Sequence, residues 1–175
     1  MKKIILITGG QRSGKSMYAE RLALSMTDQP IYFATARIWD EEFKERVKRH
    51  QARRGDNWTN IEEEKYLSHY TIYNKVCVVD CITLWCTNFF FDANQNNPKE
   101  PVIDEALDAI KKEFDQFTAQ DATFIFVTNE IGSGGVSDNV VQRRFTDMEG
   151  WMNQYVASKA DEVVLMVSGI PVKIK

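Results

Sequence analysis

Short apolar runs and longer runs with helical spacing alternate along the chain. Ile4-Ile5-Leu6-Ile7, Ile31 to Ala34, Val76-Cys77-Val78-Val79-Asp80 and Thr123 to Thr128 are brief and continuous. That pattern predicts strands covered on both faces, because a strand with one wet face would alternate. Ala19, Leu22, Ala23 and Met26 line one side of a helix from Lys15 to Met26. Ile103, Ala106, Leu107, Ile110 and Phe114 do the same for Val102 to Phe117. A long helix is expected from about Asn139 to Ser158, after a loop bearing Gly132, Gly134 and Gly135. Ile82 to Phe91 is apolar nearly all round, which reads as a buried helix or an oligomer contact. Glu41 to Arg54 is charged and free of Gly and Pro, and Asp40 can cap it. Trp58 to Ile61 reads as a small strand and Lys65 to Tyr73 as a short helix. Asp92 to Pro101, rich in Asn and Pro, reads as a surface loop.

Glu162 to Val167 and Pro171 to Ile174 flank Ser168-Gly169-Ile170 as a hairpin. Strands alternating with helices imply an α/β layer fold, with a mainly parallel central sheet flanked by helices and a C-terminal antiparallel hairpin. No repeat or composition shift divides residues 1–175, so one domain is expected.

Composition narrows the partners. Basic and acidic residues number 22 and 25, a net charge of −3, so nothing draws the whole surface to nucleic acid or anionic lipid, and any anion site must be local. The apolar run after Met1-Lys2-Lys3 ends after four residues, too short for a signal peptide or for membrane insertion. Cys77, Cys81 and Cys86 lack the paired spacing of zinc or redox motifs. They read as reduced apolar fillers, which fits a cytoplasmic location.

Gly9-Gly10-Gln11-Arg12-Ser13-Gly14-Lys15-Ser16 is a full GxxxxGK[ST] phosphate loop between a buried strand and a helix. Glycines let backbone N–H groups converge on phosphate oxygens, and the helix N-terminus favours anions. In such a loop Lys15 reaches the β and γ phosphates and Ser16 ligates Mg²⁺. Asp80, at the carboxyl end of an apolar strand, stands where a second Mg²⁺ ligand is expected. It can also cap the helix that begins at Ile82, and the two roles are compatible.

Of two histidines, His69 reads as a surface or packing residue. His50 lies in Arg46-Val47-Lys48-Arg49-His50-Gln51-Ala52-Arg53-Arg54, with five cations in nine residues. On a helix Arg46, His50 and Arg53 share a narrow arc, with Phe43 and Val47 at its edge. One reading is a solvated charged helix with an incidental histidine. The other is an anion site in which neighbouring cations keep His50 neutral, the state a nucleophile needs to attack a nucleotide α-phosphorus.

Several strings together resemble the bifunctional adenosylcobinamide kinase/adenosylcobinamide-phosphate guanylyltransferase family of cobalamin biosynthesis. They are Thr8 to Ser16, Ala34-Thr35-Ala36, Arg46 to Arg54 with Trp58, Asp80-Cys81-Ile82-Thr83-Leu84-Trp85 with Thr87-Asn88, and Thr128-Asn129-Glu130-Ile131-Gly132. Arg143-Arg144-Phe145, Asn153-Gln154 and Ala160-Asp161-Glu162-Val163 to Ser168-Gly169 complete the set, so the likeness runs end to end. The resemblance implies a RecA-like P-loop fold and a homotrimer. It implies phosphorylation of adenosylcobinamide by ATP or GTP, then transfer of GMP from GTP through a guanylyl-histidine to give adenosylcobinamide-GDP. By motif position the intermediate falls on His50, and nucleotide contacts fall on Gly9 to Ser16, Ala34, Thr35, Ala36, Gln51, Ala52, Arg53, Arg54, Glu62 and Leu84. Ser137 stands where many relatives carry proline, and Arg49 where some carry a second histidine.

Other classes fit less well. A GTPase switch would need an NKxD-like guanine motif, and the strand end here reads Thr128-Asn129-Glu130-Ile131. A nucleic-acid ATPase would need a basic and aromatic stripe. A small-molecule kinase without the guanylyl step stays open on the phosphate loop alone.

Overall fold

The computed structural model describes residues 1–175 apart from 39, 40 and 53, and apart from the side chains of Glu42, Phe43, Arg46, Arg49 and His50. The expected Asp40 cap and the Arg46–His50–Arg53 arc therefore lie outside the described residues. The elements run β1 (Lys3–Gly9), α1 (Lys15–Leu24), β2 (Ile31–Ala34), α2 (Glu41–Ala52), β3 (Thr59–Glu62), β4 (Val76–Asp80) and α3 (Ile82–Ala93). They continue with α4 (Asp104–Phe117), β5 (Thr123–Val127), α5 (Val140–Lys159), β6 (Glu162–Val167) and β7 (Ile170–Lys173).

The seven strands form one sheet in the order β3-β2-β4-β5-β1-β6-β7. Every pairing is parallel except β6 with β7, the expected terminal hairpin. The uniform apolar runs are explained by cover on both faces. From β1, Ile4 and Leu6 enter a core with Trp85, Phe90, Ile110, Phe114 and Met152 of α3, α4 and α5. Ile5 and Ile7 point the other way, to Ala19 and Ala23 of α1. β5 divides likewise, with Phe124 and Phe126 on the first side and Ile125 and Val127 on the second.

Helix α3 resolves its two readings largely toward the core. Ile82, Trp85, Cys86, Phe89 and Phe90 are buried there, while Phe91 is 44% exposed. Residues 65–73 do not form the expected helix; a single 3-10 turn, Leu67–His69, stands in its place. The segment is rich in aromatic and β-branched residues, poor helix formers. Side chains from elsewhere take its backbone groups: Glu113 accepts from the Ser68 N–H at 2.7 Å, Gln120 from the Ile72 N–H at 2.8 Å, and the Trp85 indole donates to the Lys65 carbonyl at 2.9 Å.

Register fixes where the loops gather. Ala34 pairs with Glu62 on one side and Asp80 on the other, Asp80 with Val127, and Val127 with Ile7. Five strands thus end in one row, and the segments after them meet at the sheet edge where α/β proteins place their ligands.

Candidate nucleotide-binding site

The phosphate loop leaves β1 at that edge and delivers the chain to α1. Gly9 has a φ of 147°, and a Cβ there would stand 2.5 Å from the Met166 carbonyl oxygen and 2.9 Å from Ser13 Oγ. Gly14, immediately before α1, has a φ of 94° in the left-handed region. These two glycines are required by the backbone path, one by close approach and both by torsion. The β6–β7 turn backs the loop, with the Gly169 N–H donating to the Ser13 carbonyl at 3.0 Å.

Lys15 is buried, and its Nζ donates to the Gly10 carbonyl at 2.6 Å. The ammonium is therefore stored inside the loop that phosphates would fill. Ser13 Oγ and Thr8 Oγ1 are buried with no hydrogen-bond partner. Buried orphan hydroxyls at a phosphate loop fit a site that incoming oxygens complete.

Asp80 is half-buried at the end of β4, one strand removed from β1. Tyr32 donates its hydroxyl to Asp80 Oδ2 at 2.7 Å. Burial, and then the Asp80 carboxylate, push the Tyr32 phenol well above its ordinary pKa, so it stays a donor. Beneath the Tyr32 ring lies the Arg54 guanidinium, 3.5 Å from the centroid. Arg54 also donates through Nε to Asn60 Oδ1 at 2.7 Å and pairs with Glu20 at 3.6 Å. Its side chain is 2% exposed. Arg54 was expected among the nucleotide contacts; its guanidinium lies against the Tyr32 ring, which in turn donates to Asp80. Tyr32 itself had no sequence signal, since a tyrosine in an apolar strand reads as core.

The next strand ends are tied as closely. Thr35 is fully buried, donates to the Cys81 carbonyl at 2.8 Å and accepts from the Cys81 N–H at 2.9 Å. Its hydroxyl is committed to joining β2 and β4, while Ala34 and Ala36 are half-buried beside it. Asn88 donates to the Thr35 carbonyl at 2.8 Å. Gln51, in the last turn of α2, donates to Glu62 Oε1 at 2.8 Å, joining two expected contacts across α2 and β3. Leu84, like Ala34, Tyr18 and Leu22, packs against the core on the α1 side of the sheet. Ala52 is exposed at the end of α2. Arg53 and the His50 side chain lie outside the described residues.

The thiols behave as fillers. Burial pushes Cys81 up to about 12, with Asp80 adding to the rise and Lys15 opposing it, and burial raises Cys77 and Cys86 as well. They are neutral at pH 7. Ser16 and Asp80 offer one hydroxyl and one carboxylate, hard oxygen donors of the kind Mg²⁺ takes when nucleotide phosphates and water supply the rest. Among the described residues no helix is long and apolar enough to cross a membrane.

A phosphate loop on β1, an aspartate on β4 and a strand inserted between them define a RecA-like P-loop nucleotide-binding protein. A solved structure of a prototypical ATPase from the type III secretion system of pathogenic bacteria shares this fold, with a TM-score of 0.61 and 13% identity. The alignment covers 94% of this chain and 51% of that one. Within the class, residues 5–174 match the cobinamide kinase / cobinamide phosphate guanyltransferase family, and the chain belongs to it. It is 38% identical to the bifunctional adenosylcobalamin biosynthesis protein CobU of Escherichia coli, over 98% of this chain and 99% of that one. It is 34% identical to the bifunctional adenosylcobalamin biosynthesis protein CobP of Pseudomonas aeruginosa, over 97% and 96%.

Proposed function

We propose that this chain is a bifunctional transferase of adenosylcobalamin biosynthesis, acting in the cytoplasm as a homotrimer. It phosphorylates the aminopropanol hydroxyl of adenosylcobinamide with ATP or GTP, then transfers GMP from GTP to that phosphate. The supporting observation is an assembled phosphate loop and Asp80 on one sheet edge, in a chain whose family is named for both activities.

In the kinase step the loop N–H groups and the N-terminus of α1 bind the triphosphate. Lys15 leaves the Gly10 carbonyl and donates to the β and γ oxygens, where charge develops as the γ-phosphoryl group passes to the corrinoid hydroxyl. Mg²⁺, held by Ser16 and Asp80, would supply charge neutralisation between the phosphates. Tyr32 and Arg54 keep the Asp80 carboxylate in place.

In the second step a ring nitrogen of neutral His50 attacks the α-phosphorus of GTP. The P–N bond forms, the bond to the bridging oxygen breaks, and pyrophosphate leaves, with Arg46, Arg49 and Arg53 offsetting its charge. A phosphate oxygen of adenosylcobinamide phosphate then attacks the same phosphorus. The P–N bond breaks, adenosylcobinamide-GDP is released and the imidazole is restored. Gln51 and Glu62 hold the end of α2 against β3, beside the row of strand ends.

Transfer of label from γ-labelled GTP or ATP to adenosylcobinamide tests the division of labour. His50→Ala retains this transfer and Lys15→Ala loses it. Equal loss in both folded variants contradicts the assignment.

A further inference from the structure

Most carboxylates near the row of strand ends have partners. Asp80 accepts from Tyr32, Glu62 from Gln51, and Glu64 from Arg37 at 2.7 Å. Glu63 Oε1 accepts from the backbone N–H groups of Lys65 and Tyr66, each at 2.9 Å. Glu149, in the middle of α5, is 1% exposed and accepts from Thr83 Oγ1 of α3 at 3.0 Å. Glu130, just beyond β5, differs from all of these. It is exposed, and among the described residues its carboxylate has no hydrogen-bond or ion-pair partner.

The backbone that carries Glu130 is fixed at each step. Thr128 donates its N–H to the Ile7 carbonyl of β1 at 2.9 Å. Asn129 donates its N–H to Thr83 Oγ1 at 3.0 Å, and its carbonyl accepts from Asn153 Nδ2 of α5 at 3.1 Å. Glu130 donates its own N–H to the carbonyl of Gly9, the first residue of the phosphate loop, at 3.1 Å. Sheet order explains the placement: β5 lies between β4 and β1, so the chain leaving it emerges between Asp80 and the phosphate loop. Gly10, the next residue of that loop, carries the carbonyl to which Lys15 donates. Glu130 is thus bonded to the loop one residue from where the Lys15 ammonium waits, and its carboxylate rides on a flexible three-bond arm. A carboxylate there repels a triphosphate, so binding does not account for it. Phosphoryl transfer to an alcohol does. The attacking hydroxyl must shed a proton as its oxygen bonds to phosphorus, and a carboxylate within reach takes it.

We propose that Glu130 is the general base of the kinase step. The corrinoid hydroxyl oxygen attacks the γ-phosphorus, and the bond from that phosphorus to the β–γ bridging oxygen breaks. The nucleoside diphosphate leaves with the electron pair, and the hydroxyl proton passes to a Glu130 carboxylate oxygen. The guanylyl step has no such need. Its acceptor is a phosphate oxygen that is already ionised, so no proton has to be removed. The inference rests on the two reactions proposed above.

The test compares Glu130→Gln with wild type in each reaction separately, at saturating magnesium. Transfer of label from γ-labelled ATP or GTP to adenosylcobinamide should fall in kcat by roughly 100-fold or more, the scale of general base catalysis, with the KM for the nucleotide unchanged. Transfer of label from α-labelled GTP to supplied adenosylcobinamide phosphate should match wild type, which also shows that the variant is folded. Glu130→Asp keeps a carboxylate on a shorter arm, and its kinase rate should lie between the two while guanylyl transfer again matches wild type. That variant decides the matter should Glu130→Gln not fold. Full kinase activity in either variant, or equal loss of both reactions in a folded one, overturns the inference and leaves the nucleotide site standing. A wild type that transfers no γ-phosphate to adenosylcobinamide overturns the proposed activity and the inference together.

Discussion

Lys15 and Arg54 are both buried cations near the same sheet edge, and their surroundings give them opposite tasks. The Lys15 ammonium donates to a carbonyl of its own loop, which a phosphate oxygen can replace with a stronger, charge-assisted partner. Lys15→Ala should lower kcat/KM in both reactions by roughly 100-fold or more, the scale of losing one oriented donor to developing charge. Steady-state assays of each step check this, and a loss confined to one step contradicts it. Arg54 is held by an ion pair with Glu20, a hydrogen bond to Asn60 and the Tyr32 ring, although its buried Nη1 has no hydrogen-bond partner. Removing one partner of a buried pair strands the other charge, so Arg54→Ala should destabilise the fold by about 3–5 kcal/mol. Denaturant titration measures it, and unchanged stability would return Arg54 to direct nucleotide contact. The phosphate loop was legible in the sequence because its chemistry requires those residues at that spacing. Arg54 was not, since it belongs to the same cationic run as His50 and only the turn after α2 tucks its side chain under Tyr32. Tyr32, Thr83 and Glu149 were equally silent, because polar atoms on otherwise apolar elements gain meaning only when another element brings a partner.

At the scale of elements, the joint between β2 and α3 is made by charge. Arg37, after β2, donates to Glu64 Oε2 at 2.7 Å and to Asp92 Oδ1 at 2.8 Å, and Lys65 reaches Asp92 Oδ2 at 3.0 Å. Asp92 sits in the last turn of α3. Its hydrogen bond from Arg37, with Lys65 assisting, draws the carboxyl down to about 2. A carboxylate lowered on folding contributes stability that is complete above its unfolded value, near 4, and is lost as pH falls through the folded one. The stability difference between wild type and Asp92→Asn should be constant above about pH 5 and fall steadily as pH drops from there to about 2. Denaturation midpoints across that range check it; a difference that does not fall between about pH 5 and 2 contradicts the assignment. Strands β1, β4 and β5 were legible from their uniform apolar runs, and α4 from its stripe. The helix expected over residues 65–73 was not there, because Glu113, Gln120 and Trp85 compete for its backbone from positions that local spacing does not reveal.

Across the whole molecule, alternation of strand and helix gave the sheet its parallel character, and register brought Glu62, Ala34, Asp80, Val127 and Ile7 into one row. The sheet order was not readable from sequence, since it depends on which crossovers pack against which face. With α3 mostly buried in the core, Phe91 is the large apolar residue it leaves exposed, and Trp151 of α5 is 47% exposed. Light scattering on the purified protein should give about three times the chain mass of 20.2 kDa; a monomer at micromolar concentration contradicts the trimer. The most direct test concerns the covalent step. Folded protein incubated with magnesium and α-labelled GTP, without corrinoid, should retain acid-labile, alkali-stable label in wild type and none in His50→Ala, with no retention from γ-labelled GTP. Label that is absent from wild type, or that survives in His50→Ala, contradicts transfer through His50.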